Sequence, residues 1–228
     1  MSEEDELGAT IFGWVGTALA TYFYIAPVVP YLKLIRGQFK INEVPGFLLI
    51  CSLFNCILWS GYSLLYNQFN NYFANGLGGT ITLIFITIFL VYLAEKKFCL
   101  SLFYIFFLIV CVSEIYFLCY FILPPDVTGI IANVFNVLMY AAPGEKMYQV
   151  VKTGNYKLIP IFSLVGGMAC SACWMMYGFY LNKFLNWFPN ALGVTFSLIQ
   201  LGFYIVYYKK SKNSGNEENH EQLDIGEK

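Results

Sequence analysis

The sequence predicts an all-α polytopic membrane protein with seven transmembrane helices, arranged as two parallel three-helix repeats joined by a linker helix (3+1+3). Three observations carry this expectation. Of the 228 residues, 58% are hydrophobic and 12% charged, with a mean hydropathy of +0.61; soluble domains carry about 25% charged residues. The first 210 residues consist largely of apolar runs long enough to cross about 30 Å of hydrocarbon as helices. The chain also matches itself at an offset of 115: Trp59 recurs as Trp174, Tyr62 as Tyr177, Asn75 as Asn190, Gly78 as Gly193 and Pro45 as Pro160. Ala26-Pro27 recurs as Ala142-Pro143 one residue further out. That period is much longer than a solenoid repeat.

The elements follow in order. Residues 1–8 form an acidic external N-terminus, with four acidic residues between Ser2 and Glu6. The apolar run that follows is too long for a signal peptide and lacks a basic flank, so it is expected to remain as the first crossing. Crossings are expected over 9–32, 44–66, 71–94, 98–122, 128–151, 158–181 and 187–208. The breaks are chemical: the basic stretch Lys33 to Glu43, the Asn-rich Tyr66 to Asn71, Glu95-Lys96-Lys97, Pro124-Pro125-Asp126, Lys152 to Lys157, and Asn182-Lys183. Residues 9–94 then form the first repeat, 95–127 the linker helix with its loops, and 128–208 the second repeat. The polar tail 209–228 is expected to be disordered.

With seven crossings, Lys33, Arg36, Lys40, Lys96, Lys97, Lys146, Lys152, Lys157, Lys209, Lys210 and Lys212 share one side, and Lys183 stands alone on the other. The positive-inside rule then places the N-terminus outside and the tail in the cytoplasm, with the plasma membrane as the expected location. A three-helix unit reverses direction, so one extra crossing is needed before a second copy can enter in parallel.

Net charge is −1, which offers nothing to nucleic acid. The seven cysteines lie in or beside apolar runs and are read as small packing residues. Cys170-Ser171-Ala172-Cys173 has the spacing of a metal or redox pair but no second pair or nearby histidine. His220 belongs to the tail. Glu114 is the one acidic residue deep in a span; it lies outside both repeats, which favours a contact within the bundle over a proton relay. No nucleophile–base set or phosphate-binding loop is visible, so neither enzyme activity nor a cofactor is expected.

The duplicated motifs are Ala-Pro near the end of crossings 1 and 5, Pro opening crossings 2 and 6, Leu-Trp-Ser-Gly-Tyr and Cys-Trp-Met-Met-Tyr-Gly closing those two, and Asn-Gly-Leu-Gly and Pro-Asn-Ala-Leu-Gly in crossings 3 and 7. Together, over about residues 10 to 210, they resemble the SWEET sugar transporters. The resemblance implies a facilitative carrier of mono- or disaccharides that works by alternating access. It implies a central pocket lined by Trp59, Trp174, Asn75 and Asn190, and a cytoplasmic hinge of Pro27, Pro45, Pro143 and Pro160. Asn55 and Cys170, where many relatives carry Ser, are expected to face the same pocket one turn from each Trp. Tyr62 and Tyr177 are the gate residues by the same resemblance. Many relatives pair the crossing-2 Tyr with an Asp shortly before crossing 7; here that stretch is Asn182-Lys183. The partners implied are a hexose, carried in preference to sucrose, the surrounding lipid, and further copies of the chain.

The chemistry suits a sugar. The C–H faces of a sugar lie against an indole, and its hydroxyls need both donors and acceptors, which one Asn amide supplies. Taken singly, Trp59 is ordinarily an interfacial belt residue, and an intramembrane Asn is often a helix–helix contact. Recurrence of the whole set in both halves favours a pocket. The glycines Gly76, Gly78, Gly79, Gly166, Gly167 and Gly193 are read as close helix approaches. Two other classes compete: a repeat-type amino-acid carrier, which commonly has a Pro-Gln pair in each repeat, absent here, and a seven-helix receptor, which has no need of a duplication. The orientation predicts that protease added to sealed right-side-out cells removes a tag before Met1 and spares one after Lys228; the opposite pattern overturns the topology.

Overall fold

The computed structural model describes residues 2–38, 46–117, 122–139 and 141–226, and the described elements are all helical. Helix α1 (Glu3–Ile25) starts six residues before the expected boundary at residue 9. Ser2 and Asp5 form a reciprocal cap: the Asp5 N–H donates to Ser2 Oγ at 3.2 Å and the Ser2 N–H to Asp5 Oδ2 at 3.1 Å. Two otherwise orphaned helix-end donors are thereby satisfied. Hydrogen bonding from Ser2 also holds the exposed Asp5 carboxyl below its ordinary value.

The first crossing is broken at Ala26-Pro27 and resumes as α2 (Val28–Ile35). It closes at Gly37, whose φ of +70° belongs to the left-handed region; the Gln38 N–H reaches Lys33 O at 2.8 Å and the Gly37 N–H reaches Leu34 O at 3.0 Å. Helix α3 (Gly46–Leu65) and the later α7 (Ile161–Tyr180) end in the same way on asparagine: Asn67 has φ +55° and Asn182 φ +51°. These residues are repeat mates at the 115 offset. Asparagine tolerates this region better than most side chains, which is why the two loops stop alike.

Helix α4 (Phe69–Phe117) spans crossings 3 and 4, with one non-helical residue, Lys97 at φ −146° and ψ 65°. The chain folds back there, because Ser101 Oγ donates to Leu90 O at 3.0 Å and Tyr104, Leu108 and Val112 pack on the cluster that contains Ile86 and Leu93. Crossing 5 is described as α5 (Pro125–Met139) and α6 (Ala141–Thr153), on either side of residue 140, which lies outside the described residues. A short 3₁₀ turn at Tyr156–Leu158 leads into α7, and α8 (Phe184–Gly226) completes the set. The backbone beyond Lys209, expected to be disordered, continues as helix to Gly226. A segment that extends a formed helix carries no nucleation cost.

Four described segments are long and apolar enough to span a bilayer on their own: Phe69–Glu95, Pro125–Thr153, Ile161–Tyr180 and Phe184–Asn213. The other three crossings lie in α1–α2, divided at Pro27, in α3, described from Gly46, and in the C-terminal part of α4. Large side chains such as Phe162 and Phe106 stand exposed on the outer surface, as expected where the surrounding solvent is hydrocarbon.

Within each repeat the third crossing packs against the other two: α4 touches α1 and α3, and α8 touches α5 and α7. Between repeats α1 packs on α7, and its mate α5 packs on α3. Both seams use the same device. A Cβ on Gly13 would lie 3.0 Å from the Tyr177 ring, and one on Gly129 2.9 Å from the Tyr62 ring. Gly16 faces Trp174 at 3.1 Å, and Ala132, fully buried, clusters with Trp59 and Tyr62. Of the glycines read as packing sites, Gly78 faces Tyr24 and Gly166 faces Phe23, whereas Gly76 meets nothing within 4 Å, a correction to the expectation for that residue.

Pro189 lies inside α8, so the carbonyl of Leu185 lacks its usual donor four residues on. Asn133 Nδ2, from α5, donates to that carbonyl at 3.2 Å. In the first repeat the mate of Asn133 is Thr17, whose hydroxyl donates to Gly13 O at 2.7 Å within its own helix, and Ala74 stands in place of the proline. Asn133→Ala should therefore cost about 1–3 kcal/mol, the penalty of an unpaired buried carbonyl, read as a lower Tm in detergent. Adding Pro189→Ala restores a backbone donor and should recover most of the loss. A double variant no more stable than Asn133→Ala alone refutes the exchange.

Candidate functional site

The two inter-repeat seams leave a cavity of about 390 Å³ between the halves. Its wall contains all six expected binding residues: Asn75, Asn190, Trp59, Trp174, Asn55 and Cys170. Trp59 and Trp174 hold almost the same pose. Each meets the tyrosine three residues on, Tyr62 or Tyr177, with ring centroids 5.3 and 5.2 Å apart at 81° and 85°. Edge-to-face packing suits the quadrupoles of both rings and fixes each indole. Trp59 is 5% exposed, so most of its surface is already covered, while Trp174 is more open to the cavity.

The amides are oriented by their own helices. Asn75 Nδ2 donates to Asn71 O at 2.9 Å and to Asn71 Oδ1 at 2.7 Å, and Asn190 Nδ2 donates to Asn186 O at 2.7 Å. Both donors of Asn75 are thus engaged one turn back, which leaves its Oδ1 as an acceptor. Asn55, 7% exposed, has an Oδ1 without a protein partner.

Sequence reasoning missed several lining residues. Asn71 and Asn186 are repeat mates, one turn before Asn75 and Asn190, and both line the cavity. Their recurrence at 115 was the available signal. Asn136 also lines it, so among the described residues the wall holds six asparagines (55, 71, 75, 136, 186 and 190) and no charged side chain. A separate cavity of about 310 Å³ backs onto Asn75, but much of its wall is Leu53, Ile57, Leu83 and Val112, with few partners for a polar ligand.

The expected hinge residues are distributed unevenly. Pro27 sits at the break between α1 and α2, and Pro160 caps α7. Pro143 lies in α6, close to residue 140, which is outside the described residues. Pro45 lies outside the described residues, as do the surroundings of Glu114. Pro143, Gly167 and Ser171 border both the cavity and a cleft of about 250 Å³ lined by Lys146, Ser163, Ser197 and Gln200.

At the opposite end, Tyr62 is 1% exposed and packs between Trp59 and Tyr66, and Tyr177 is 3% exposed against Gly13. The backbone of Asn71, in the other repeat, is a hydrogen-bond partner of the Tyr177 hydroxyl. Tyr66 Oη donates to Asp126 Oδ1 at 2.6 Å, and Lys183 Nζ stands 3.7 Å from the centroid of the Tyr66 ring. Asp126 is exposed, so water competes for these contacts, and an exposed cation–π pair contributes about 0.5–1 kcal/mol.

Comparison with known proteins identifies the family. The chain is 29% identical over 221 residues to the bidirectional sugar transporter SWEET5 of Arabidopsis thaliana, covering 93% of this chain and 92% of that protein. It is 30% identical over 206 residues to the bidirectional sugar transporter SWEET1 of the same plant, covering 87% and 83%. Its fold matches the 3.7 Å structure of a eukaryotic SWEET transporter with a TM-score of 0.83 at 20% identity, over 91% of this chain and all of that one. The model of the MtN3_slv family, sugar efflux transporters for intercellular exchange, matches residues 10–97 and 126–212, and the chain belongs to that family.

Proposed function

We propose that this chain is a facilitative, bidirectional sugar transporter that works by alternating access and prefers monosaccharides. One observation carries the reading: two indoles and six amides from both repeats converge on one uncharged cavity. A neutral polyol fits such a wall. A zwitterionic amino acid would enter without a charged partner, at a large desolvation cost, which disfavours the amino-acid carrier. The seven-helix receptor reading gains nothing from the duplication.

Among the described residues the cavity wall holds no carboxylate, lysine or histidine that could carry a proton through the cycle, which supports uncoupled transport. Its volume lies at the small end of the ~300–1,000 Å³ typical of small-molecule sites, which favours one sugar ring over two. The cleft beyond Pro143 supplies a polar route on the side of Lys146, Lys152 and Lys157, the cytoplasmic side by the positive-inside rule. The chain acts as a carrier, not an enzyme, and resides in the plasma membrane with its N-terminus outside.

Counterflow in proteoliposomes with labelled glucose, fructose, sucrose and several amino acids tests the reading: hexose should equilibrate without accumulating, and amino acids should not exchange. Asn75→Ala and Asn190→Ala should each reduce hexose uptake strongly at normal membrane abundance, because each leaves a sugar hydroxyl unpaired at about 1–3 kcal/mol. Normal uptake in both variants returns these residues to a packing role. Hexoses should move faster than sucrose, and Asn55→Ser, which enlarges the wall, should narrow that gap. Equal rates for sucrose and glucose in the unmodified protein defeat the size argument.

A further inference from the structure

A second ring of amides lies one turn beyond Asn75 and Asn190. Asn71, Asn186 and Gln68 are 5%, 4% and 5% exposed. Gln68 Oε1 accepts from Asn186 Nδ2 at 2.8 Å and from Asn71 Nδ2 at 3.3 Å. The first of these bonds joins the two repeats. Both lone pairs of the oxygen are used, so one carboxamide holds a residue from each half. The chain continues into the binding cavity, because Asn71 Oδ1 accepts from Asn75 Nδ2 at 2.7 Å. Asn75, Asn71, Gln68 and Asn186 are thus linked without interruption from the cavity wall to the opposite repeat.

The two-fold relation fails here for a physical reason. Asn71 and Asn186 are mates, so a group bonded to both sits near the axis that relates them. Two equivalent long side chains cannot share that place. The mate of Gln68 is Lys183, which instead turns to the Tyr66 ring. The arrangement is also incomplete: Gln68 Nε2 and Asn186 Oδ1 are buried without protein partners. Buried polar atoms are ordinarily paired, and an exception calls for an explanation. A contact that must part in each transport cycle supplies one, since water reaches both atoms once the halves separate at this end.

We infer that Gln68 holds the outer end of the cavity closed, and that the amide chain Asn75–Asn71–Gln68–Asn186 links sugar at Asn75 to that closure. Gln68 and Asn71 are positioning residues: they act through Asn75 and Asn186. This inference rests on the carrier reading above. A hydroxyl bonded to Asn75 Oδ1 polarises the amide whose N–H groups hold Asn71, and Asn71 in turn holds Gln68. The contact is buried, unlike the exposed Tyr66–Asp126 pair, so water competes less for it.

Gln68→Met removes the amide and keeps the length of the side chain; Asn186→Leu removes the other partner. Each should raise the outward-facing fraction, which lowers the external KM for hexose and raises the internal KM by about two- to tenfold, the effect of one neutral hydrogen bond. The double variant should match Gln68→Met, which already removes the bond to Asn186 together with the one to Asn71. Mass-mapped alkylation gives a readout independent of any sugar. Cys170 lines the cavity, and a membrane-impermeant maleimide added outside should label it faster in Gln68→Met than in the unmodified protein. Unchanged labelling together with KM values that move equally at both faces overturns the inference. Faster Cys170 labelling in a protein that moves no sugar upholds the gate and refutes the carrier reading.

Discussion

The close seam between the two repeats is the constraint on which the rest depends. In hydrocarbon, helices gain little by hiding apolar surface from one another, and association rests on dispersion contacts and hydrogen bonds between closely approaching backbones. Gly13 against Tyr177 and Gly129 against Tyr62 provide that approach twice, at equivalent places. Each tyrosine also fixes a tryptophan edge-on, so the residues that join the halves orient the indoles of the cavity. Assembly and site geometry are therefore one property, and a side chain added at either glycine would displace both.

The cavity is polar without being charged. Six amides in a low-dielectric wall present donors and acceptors at little Born cost, where a carboxylate or ammonium would need a counter-ion. Their orientation comes from bonds to the preceding turn, which engage the Asn75 donors and leave an acceptor for a ligand. The symmetry that builds the site breaks on its axis, where Gln68 has no room for an equal partner.

The prolines divide their roles. Pro27 lies at the junction of α1 and α2, where the backbone stays right-handed but the proline offers no N–H, and Pro160 stands at the start of α7. Pro189 has a different consequence, since the carbonyl it frees binds Asn133 and ties α8 to α5 within the second repeat. In the first repeat Ala74 stands in the proline's place, and the Thr17 hydroxyl bonds within its own helix, to Gly13 O.

Helix number, duplication and the recurrent residues that line the cavity were legible in the sequence because each leaves a periodic or repeated mark. Apolar runs must match the bilayer thickness, and a duplicated unit must preserve the side chains that meet on its axis. The N-terminal start at Glu3 was also present in the sequence, as the Ser2–Asp5 pair, but hydropathy does not detect a cap. Tertiary structure alone decided the contacts between residues distant in the chain. Gln68 and Asn186 are 118 positions apart, Tyr66 and Asp126 are 60 apart, and neither pair shares a motif or an offset with its repeat mates. The sequence records which residues recur. Which member of a recurrent pair occupies the axis depends on steric exclusion between the two, and that exists only once the halves have packed.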